Sequence, residues 1–168
     1  MNQIKKYITN WIQEYAKKNK KKYLIVGVSG GIDSAVTSTL CAETNIDTIV
    51  VSMPIDQNPN ELIRAQKHIN WLKKQYKNVQ KKEIDLSNIF HAFKNILGKE
   101  YKTDLALANT KARIRMTTLY QISSSKNGLV VGTGNKIEDF CIGFFTKHGD
   151  GGVDLSPIGD LMKSEVFS

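Results

Sequence analysis

Cysteine is scarce in this chain: Cys41 and Cys141 are the only two among 168 residues, with no Cys-x-x-Cys. That spacing argues against a disulfide framework or a structural metal centre, and leaves two thiols expected to be reduced and partly buried. Long apolar runs are missing as well. No stretch reaches the roughly 18 residues of a membrane span, and the N-terminus lacks a signal-peptide core, so a cytoplasmic protein is expected. Arginine is the third shortage. The 24 basic residues against 16 acidic ones leave a formal net charge of +8, yet only Arg64, Arg113 and Arg115 are arginines. Scattered lysines with one dense run from Lys17 to Lys22 describe a solvated surface better than a reader of bases, so neither nucleic acid nor membrane is an expected partner. There is no internal repeat. What remains is an ordinary globular composition, 40% hydrophobic and 24% charged, with the length of one domain and a real core.

The chain is organised around Val26-Gly27-Val28-Ser29-Gly30-Gly31-Ile32-Asp33-Ser34. An apolar strand-like run, Tyr23 to Val28, enters a Ser-Gly-Gly turn and leaves it as a helix. Such a junction collects free backbone N–H groups and the positive end of a helix dipole, which suits an anion. Small side chains let the backbone approach phosphate, and Asp33 in the first turn is placed to hold a bridging divalent cation. The stretch lacks the Gly-Lys-Ser/Thr ending of a Walker A loop. Gly132-Thr133-Gly134 imitates half of a dinucleotide fingerprint, but Ile137 occupies the third glycine position.

Residues 2 to 18 place Ile4, Ile8, Trp11, Ile12 and Tyr15 on one helical face. Strands are predicted over 23–28, 47–53, 79–85 and 129–133, and helices over 33–44, 60–76, 87–97 and from a Thr103 cap to about Ser124. Leu62, Ile69, Leu72 and Tyr76 are expected inward on one helix, and Ile89, Phe90, Phe93 and Ile96 on the next. Trp11 and Trp71 are expected in the core. His68 and His91, lacking an acidic or cysteine partner at ligand spacing, read as surface or satisfied histidines. Alternating strands and helices give an α/β fold, a parallel sheet with helices on both faces. Its ligand belongs beyond the carboxyl ends of the strands, where Ser29–Ser34, Ser52–Gln57, Asp85–Ser87 and Thr133–Glu138 should converge. Glu138 would then lie near Asp33, and two carboxylates suit one Mg²⁺.

The Ser-Gly-Gly-Ile-Asp-Ser loop resembles the SGGxDS loop of the PP-loop ATP pyrophosphatases. Three further segments narrow the resemblance. Asn109-Thr110-Lys111-Ala112-Arg113-Ile114-Arg115-Met116 is similar to the NxxARxRM helix of NAD synthetases, and Gly132 to Glu138 to their GTxNxxE segment. Phe144 to Pro157 resembles their GxFTKxGDGxxDxxP loop, and Lys163 matches the lysine after it. On these motifs, spanning residues 27 to 163, the chain is identified as a member of the ammonia-dependent NAD synthetase family.

That resemblance implies a Rossmann-like PP-loop fold and a single NAD synthetase domain over 1–168: an amphipathic helix in 1–22, a nucleotide-binding core in 23–138, and a substrate loop with the start of a C-terminal part in 139–168. It implies ATP contacts from Gly27, Val28, Ser29, Gly30, Gly31, Ile32, Asp33, Ser34, Thr133 and Lys163. Deamido-NAD contacts fall to Arg113, Lys147 and Asp154, and magnesium ligation to Asp33 and Glu138, with no side-chain nucleophile. Arg113 and Arg115, two apart on a helix, point about 200° apart and cannot both face one ligand. The implied reaction amidates deamido-NAD with ammonia and ATP, giving NAD, AMP and pyrophosphate in a homodimer with the dinucleotide site across the interface. Only 22 residues precede the first strand, too few for a glutamine-hydrolysing domain, so free ammonia is the expected nitrogen source. Family members run well past the equivalent of Ser168, with a late His-Lys pair on the dinucleotide, and carry an arginine near the position of Ser52, whose work falls to Gln57 or another group here. The chain is thus expected to be truncated at the C-terminus. Another PP-loop amide- or thiol-forming ligase, or a silent nucleotide-binding fragment, are the rival readings.

Overall fold

The computed structural model describes residues 2–167; Met1 and Ser168 lie outside the described residues. Four strands, β1 (Tyr23–Gly27), β2 (Asp47–Ser52), β3 (Val79–Glu83) and β4 (Gly128–Val131), form one parallel sheet in the order β3-β2-β1-β4. β1 pairs from Tyr23 opposite Asp47 to Gly27 opposite Val51, and on its other side from Tyr23 opposite Gly128 to Val26 opposite Val131. Its residues Leu24, Ile25 and Val26 are fully buried, as a central parallel strand covered on both faces requires.

The pleat sorts that core into two layers. Leu24 and Val26 face Ile8, Ile12 and Ala16 of α1 (Asn2–Lys18) and Leu40 and Cys41 of α2 (Ile32–Glu43), while Val50 faces Ala65, Ile69 and Leu72 of α3 (Pro59–Gln75). Ile25, Ile49, Val51 and Val130 face the other way, against Phe90 of α4 (Ser87–Ile96) and Met116 and Leu119 of α5 (Asp104–Lys126). Each buried Val, Leu, Ile, Phe or Met side chain among them contributes roughly 1.5–3 kcal/mol. The α5 start is capped as its sequence predicts, the Thr103 hydroxyl accepting from the Ala106 N–H at 3.3 Å.

Helical spacing overstates burial at several places. Ile4 and Trp11 of α1 and Trp71 of α3 keep much of their surface exposed, and on α4 only Phe90 is buried while Ile96 is 79% exposed. These helices cover the sheet with a narrower stripe than their apolar residues could fill. Cys41 is buried, which raises its thiol pKa by desolvation, whereas Cys141 is exposed.

The chain runs outward from β1 to β2 to β3, then returns through α5 to place β4 on the other side of β1. The connections from β1 and β4 therefore diverge, opening a crevice above their carboxyl ends, where open α/β sheets bind ligands. Beyond β4 the chain forms a π-helical segment (Ile137–Ile142), a turn-rich loop and a short α6 (Lys163–Phe167).

Candidate active site

At the head of β1 the Ser29–Ser34 loop is braced from behind. Gly31 is the N-cap of α2 and contributes no side-chain cap, so the dipole end of that helix is open. The loop carbonyls are engaged by donors from the α3 side: Gln57 Nε2 donates to the Ser29 oxygen at 3.1 Å and Arg64 Nε to the Gly30 oxygen at 3.2 Å. Ser34 Oγ accepts from the Ser29 N–H at 3.2 Å and donates to the Gly31 carbonyl at 3.0 Å, tying loop to helix.

Three charged side chains from distant parts of the chain meet beside it. Lys163, the first residue of α6, donates to Asp33 Oδ2 and to Glu138 Oε1, the latter at 3.0 Å. Burial alone would lower the Lys163 pKa, but its bonds to the two carboxylates outweigh that and hold it raised. Neighbouring Asp139 has its pKa raised by burial and then by the Asp150, Glu138 and Asp33 carboxylates. The ammonium is a stand-in cation, gathering one oxygen from each carboxylate at a site where negative charge is in excess, so Asp33 and Glu138 fit a divalent ion.

A cavity of about 510 Å³ opens at the crevice. Gly27, Val28, Ser29 and Thr133 line it, together with Gln57, Lys111, Arg115 and the apolar Met53, Ile55 and Met116. Of the four predicted strand-end groups, three converge here. The Asp85–Ser87 segment does not reach it; its Ser87 hydroxyl instead accepts from the Asp56 N–H at 3.3 Å.

The residues expected on the dinucleotide form a separate group. Arg113 Nε donates to the Lys147 carbonyl at 3.1 Å, so α5 holds the 146–152 loop by its backbone, and Thr146 Oγ1 bonds Asn109 Oδ1 at 2.9 Å. Asp154 is tied inward, accepting from Tyr120 Oη at 3.0 Å and from the Val130 N–H at 2.8 Å. The Tyr120 phenol is pushed up to about 12 by burial and then by Asp154.

Arg113 and Arg115 do part company as helical geometry demands. Arg115, its pKa lowered by burial, turns into the cavity and donates through Nε to the Met53 carbonyl at 3.0 Å. It and Lys111 are cavity residues the sequence reading did not assign, although their i, i+4 spacing puts both on one face of α5. Asn135, at the centre of the charged cluster, was also passed over. His91 is an exposed, satisfied histidine as expected, its Nε2 2.7 Å from Asp56 Oδ2, a partner too distant in sequence for spacing to show. His68 is satisfied, 2.9 Å from Ser38 Oγ. A second concavity of about 530 Å³, between α1, α2, α3 and α6, is mainly apolar and contains none of the predicted site residues.

A parallel sheet with an open glycine-rich helix start beside a carboxylate pair, at the point where strand order reverses, defines a nucleotide-binding α/β domain of the PP-loop type. The chain belongs to the NAD synthase family, whose model matches residues 4–168. It is 40% identical over 165 residues to the NH(3)-dependent NAD(+) synthetase of Sulfurisphaera tokodaii, covering 98% of this chain and 57% of that one. With the protein of the same name from Carboxydothermus hydrogenoformans it shares 42% over 161 residues, covering 95% and 65%. The chain therefore spans less than two thirds of the length of these relatives. Among solved structures, the NH3-dependent NAD synthetase of Campylobacter jejuni superposes with a TM-score of 0.89 at 35% identity, over 99% of this chain and 70% of that one. The NMN synthetase of Francisella tularensis superposes with a TM-score of 0.90 at 30% identity, over 99% and 67%.

Proposed function

We propose that this chain forms the ATP-binding and adenylating part of an ammonia-dependent NAD synthetase, working in the cytoplasm on deamido-NAD, ATP and free ammonia. The observation that carries the reading is the Asp33–Lys163–Glu138 cluster beside the open α2 start, in a chain of the NAD synthase family. In this reading residues 1–168 act as one unit, with 1–22 bracing the sheet, 23–138 binding nucleotide and 139–168 carrying the substrate loop.

The nicotinate carboxylate of deamido-NAD attacks the α-phosphorus of ATP, and pyrophosphate leaves. Ammonia then attacks the acyl carbon of the adenylate, AMP leaves, and a proton is lost from nitrogen to give the amide. No side-chain nucleophile is needed, so the protein's work is alignment and charge neutralisation. The loop Gly27, Val28, Ser29, Gly30, Gly31, Ile32, Asp33, Ser34 receives the phosphates, and Thr133 meets ATP across the crevice. Lys163 neutralises phosphate charge. Asp33 and Glu138 would hold Mg²⁺, which when bound supplies charge neutralisation on the phosphate oxygens. Arg113, Lys147 and Asp154 take the dinucleotide, Arg113 also holding the loop that closes over it. The guanidinium and ammonium of Arg115 and Lys111, with Gln57, fill the place of the arginine expected near Ser52.

Assembly as a homodimer is supported by apolar side chains left outside: Ile89, Phe93 and Ile96 on α4, and Phe140, Ile142 and Phe144 beyond β4. The deciding experiment measures AMP and pyrophosphate release with ATP, Mg²⁺, deamido-NAD and ammonia, omitting each in turn. Equimolar NAD and AMP, dependent on all four, are expected. Turnover with nicotinate mononucleotide in place of deamido-NAD, stimulation by tRNA, or ATP binding without turnover would each refute the reading.

A further inference from the structure

Asn135 is fully buried, and every polar atom of its side chain is used at the point where the charged cluster is assembled. Its Nδ2 donates to Asp33 Oδ1 at 3.1 Å. Its Oδ1 accepts from the N–H groups of both Ile137 and Glu138, each at 3.1 Å, and its backbone carbonyl accepts from the Asp139 N–H at 3.0 Å. One short planar amide thus joins the first turn of α2 to the start of the π-helical segment, 102 residues away in sequence.

The division of Asp33 is what gives this contact its consequence. Asn135 takes one oxygen of that carboxylate and Lys163 the other, while Lys163 also takes Glu138 Oε1. With Oδ1 held, Asp33 cannot rotate to present both oxygens to a cation. Glu138 is held through its own N–H, which fixes where its side chain leaves the backbone. The adjoining Lys136 N–H donates to the Leu161 carbonyl at 3.0 Å, tying the same turn to the segment that delivers Lys163.

We propose that Asn135 is the positioning residue of the cation site, its amide orienting Asp33 and the Glu138 backbone so that the two carboxylates present one oxygen each to a single divalent ion. The proposal rests on the reading of Asp33 and Glu138 as the metal ligands. The chemistry explains the residue type. Donor and acceptor must sit at opposite corners of one group: aspartate at 135 would set a second negative charge against Asp33, and leucine would strand a carboxylate oxygen and two N–H groups in a buried space. An outer partner of this kind typically controls metal affinity by about 10–100-fold without touching the ion.

The test uses two substitutions of the whole chain. Asn135→Ser keeps a short acceptor for the turn and is too short to reach Asp33; Asn135→Ala removes donor and acceptor together without adding charge. Mn²⁺ binding to the protein with ATP is followed by electron paramagnetic resonance, alongside the Mg²⁺ dependence of AMP release and the KM for deamido-NAD. Both variants should bind Mn²⁺ roughly 10–100-fold more weakly and shift the Mg²⁺ requirement equally, with the dinucleotide KM unchanged. Unaltered Mn²⁺ affinity overturns the proposal, as does a parallel fall in every parameter with the thermal midpoint. If the unsubstituted protein makes no NAD, the proposed function fails while Mn²⁺ binding still decides the role of Asn135. Should both variants fail to fold, the Asn135 side-chain amide resonance of the unsubstituted protein decides: it must shift when Mg²⁺ is added with ATP, and an unmoved resonance overturns the proposal.

Discussion

Gly30 packs so closely on Glu61 that a Cβ added to it would stand 2.4 Å from the Glu61 carbonyl oxygen, and its φ is +90°. The Ser29–Ser34 loop is therefore pressed against the first turns of α3, with Gln57 and Arg64 holding its carbonyls. Replacement Gly30→Ala meets both a backbone clash and a left-handed conformation, which for a residue with a side chain costs about 1–2 kcal/mol. Urea unfolding should show a loss of at least that size, and the KM for ATP should rise. Wild-type stability would show that α3 yields at no expense.

Asp33→Asn keeps the shape of the side chain and its contact with Asn135 while removing the charge that faces Lys163. Turnover should fall by more than the roughly 10–100-fold typical of losing an outer partner of a metal ligand. The thermal midpoint should stay within about 4 °C. Measuring both on one preparation separates the roles; a rate within twofold of the parent would refute the assignment of Asp33.

Arg113 is expected to act on the dinucleotide partly through the loop it holds. With Arg113→Ala the bond to the Lys147 carbonyl is gone, an exposed charged contact that contributes about 0.2–1 kcal/mol, and the proposed contact with the dinucleotide goes with it. The KM for deamido-NAD should rise by roughly tenfold or more, with that for ATP little changed. Hydrogen exchange supplies the structural readout, since residues 146–152 should lose protection. Unchanged exchange would mean the loop is held by Asn109 and Thr146 alone.

Burial lowers the pKa of His68 below its ordinary 6.5, so the folded protein prefers the neutral ring. A depressed folded-state value makes its contribution to stability complete above pH 6.5 and lost as pH falls through the lower folded value. Denaturant midpoints measured from pH 7.5 downward should show that loss, and His68→Gln should remove this component. An NMR titration placing His68 at or above 6.5 would contradict it.

Much of this protein was legible along the chain because local chemistry carried it. Apolar runs with turn residues between them marked β1, β2 and β4, whereas the Lys-rich β3 buries only Val79, and Thr103 marked the start of α5. The Ser29 to Ser34 turn marked the open start of α2, since a glycine-rich helix start is a local arrangement of N–H groups. Burial was less legible: periodicity at Ile89, Phe93 and Ile96 identifies an apolar face but not whether the sheet reaches it.

What only the tertiary structure decided were the meetings between segments. The strand order brought β4 beside β1, which places Glu138 near Asp33 as the strand-end rule anticipates, but that Asn135 bonds Asp33 and Lys163 bridges both carboxylates emerged only from the packing. Lys111 and Arg115 became cavity residues because α5 crosses the sheet where β1 and β2 end. No local pattern encodes such meetings, because sheet order and helix placement are set by how the two layers of core close over a twisted sheet. The sequence by itself determined the pieces and the open glycine-rich helix start. Packing decided which charges meet: the Lys163 ammonium with the Asp33 and Glu138 carboxylates.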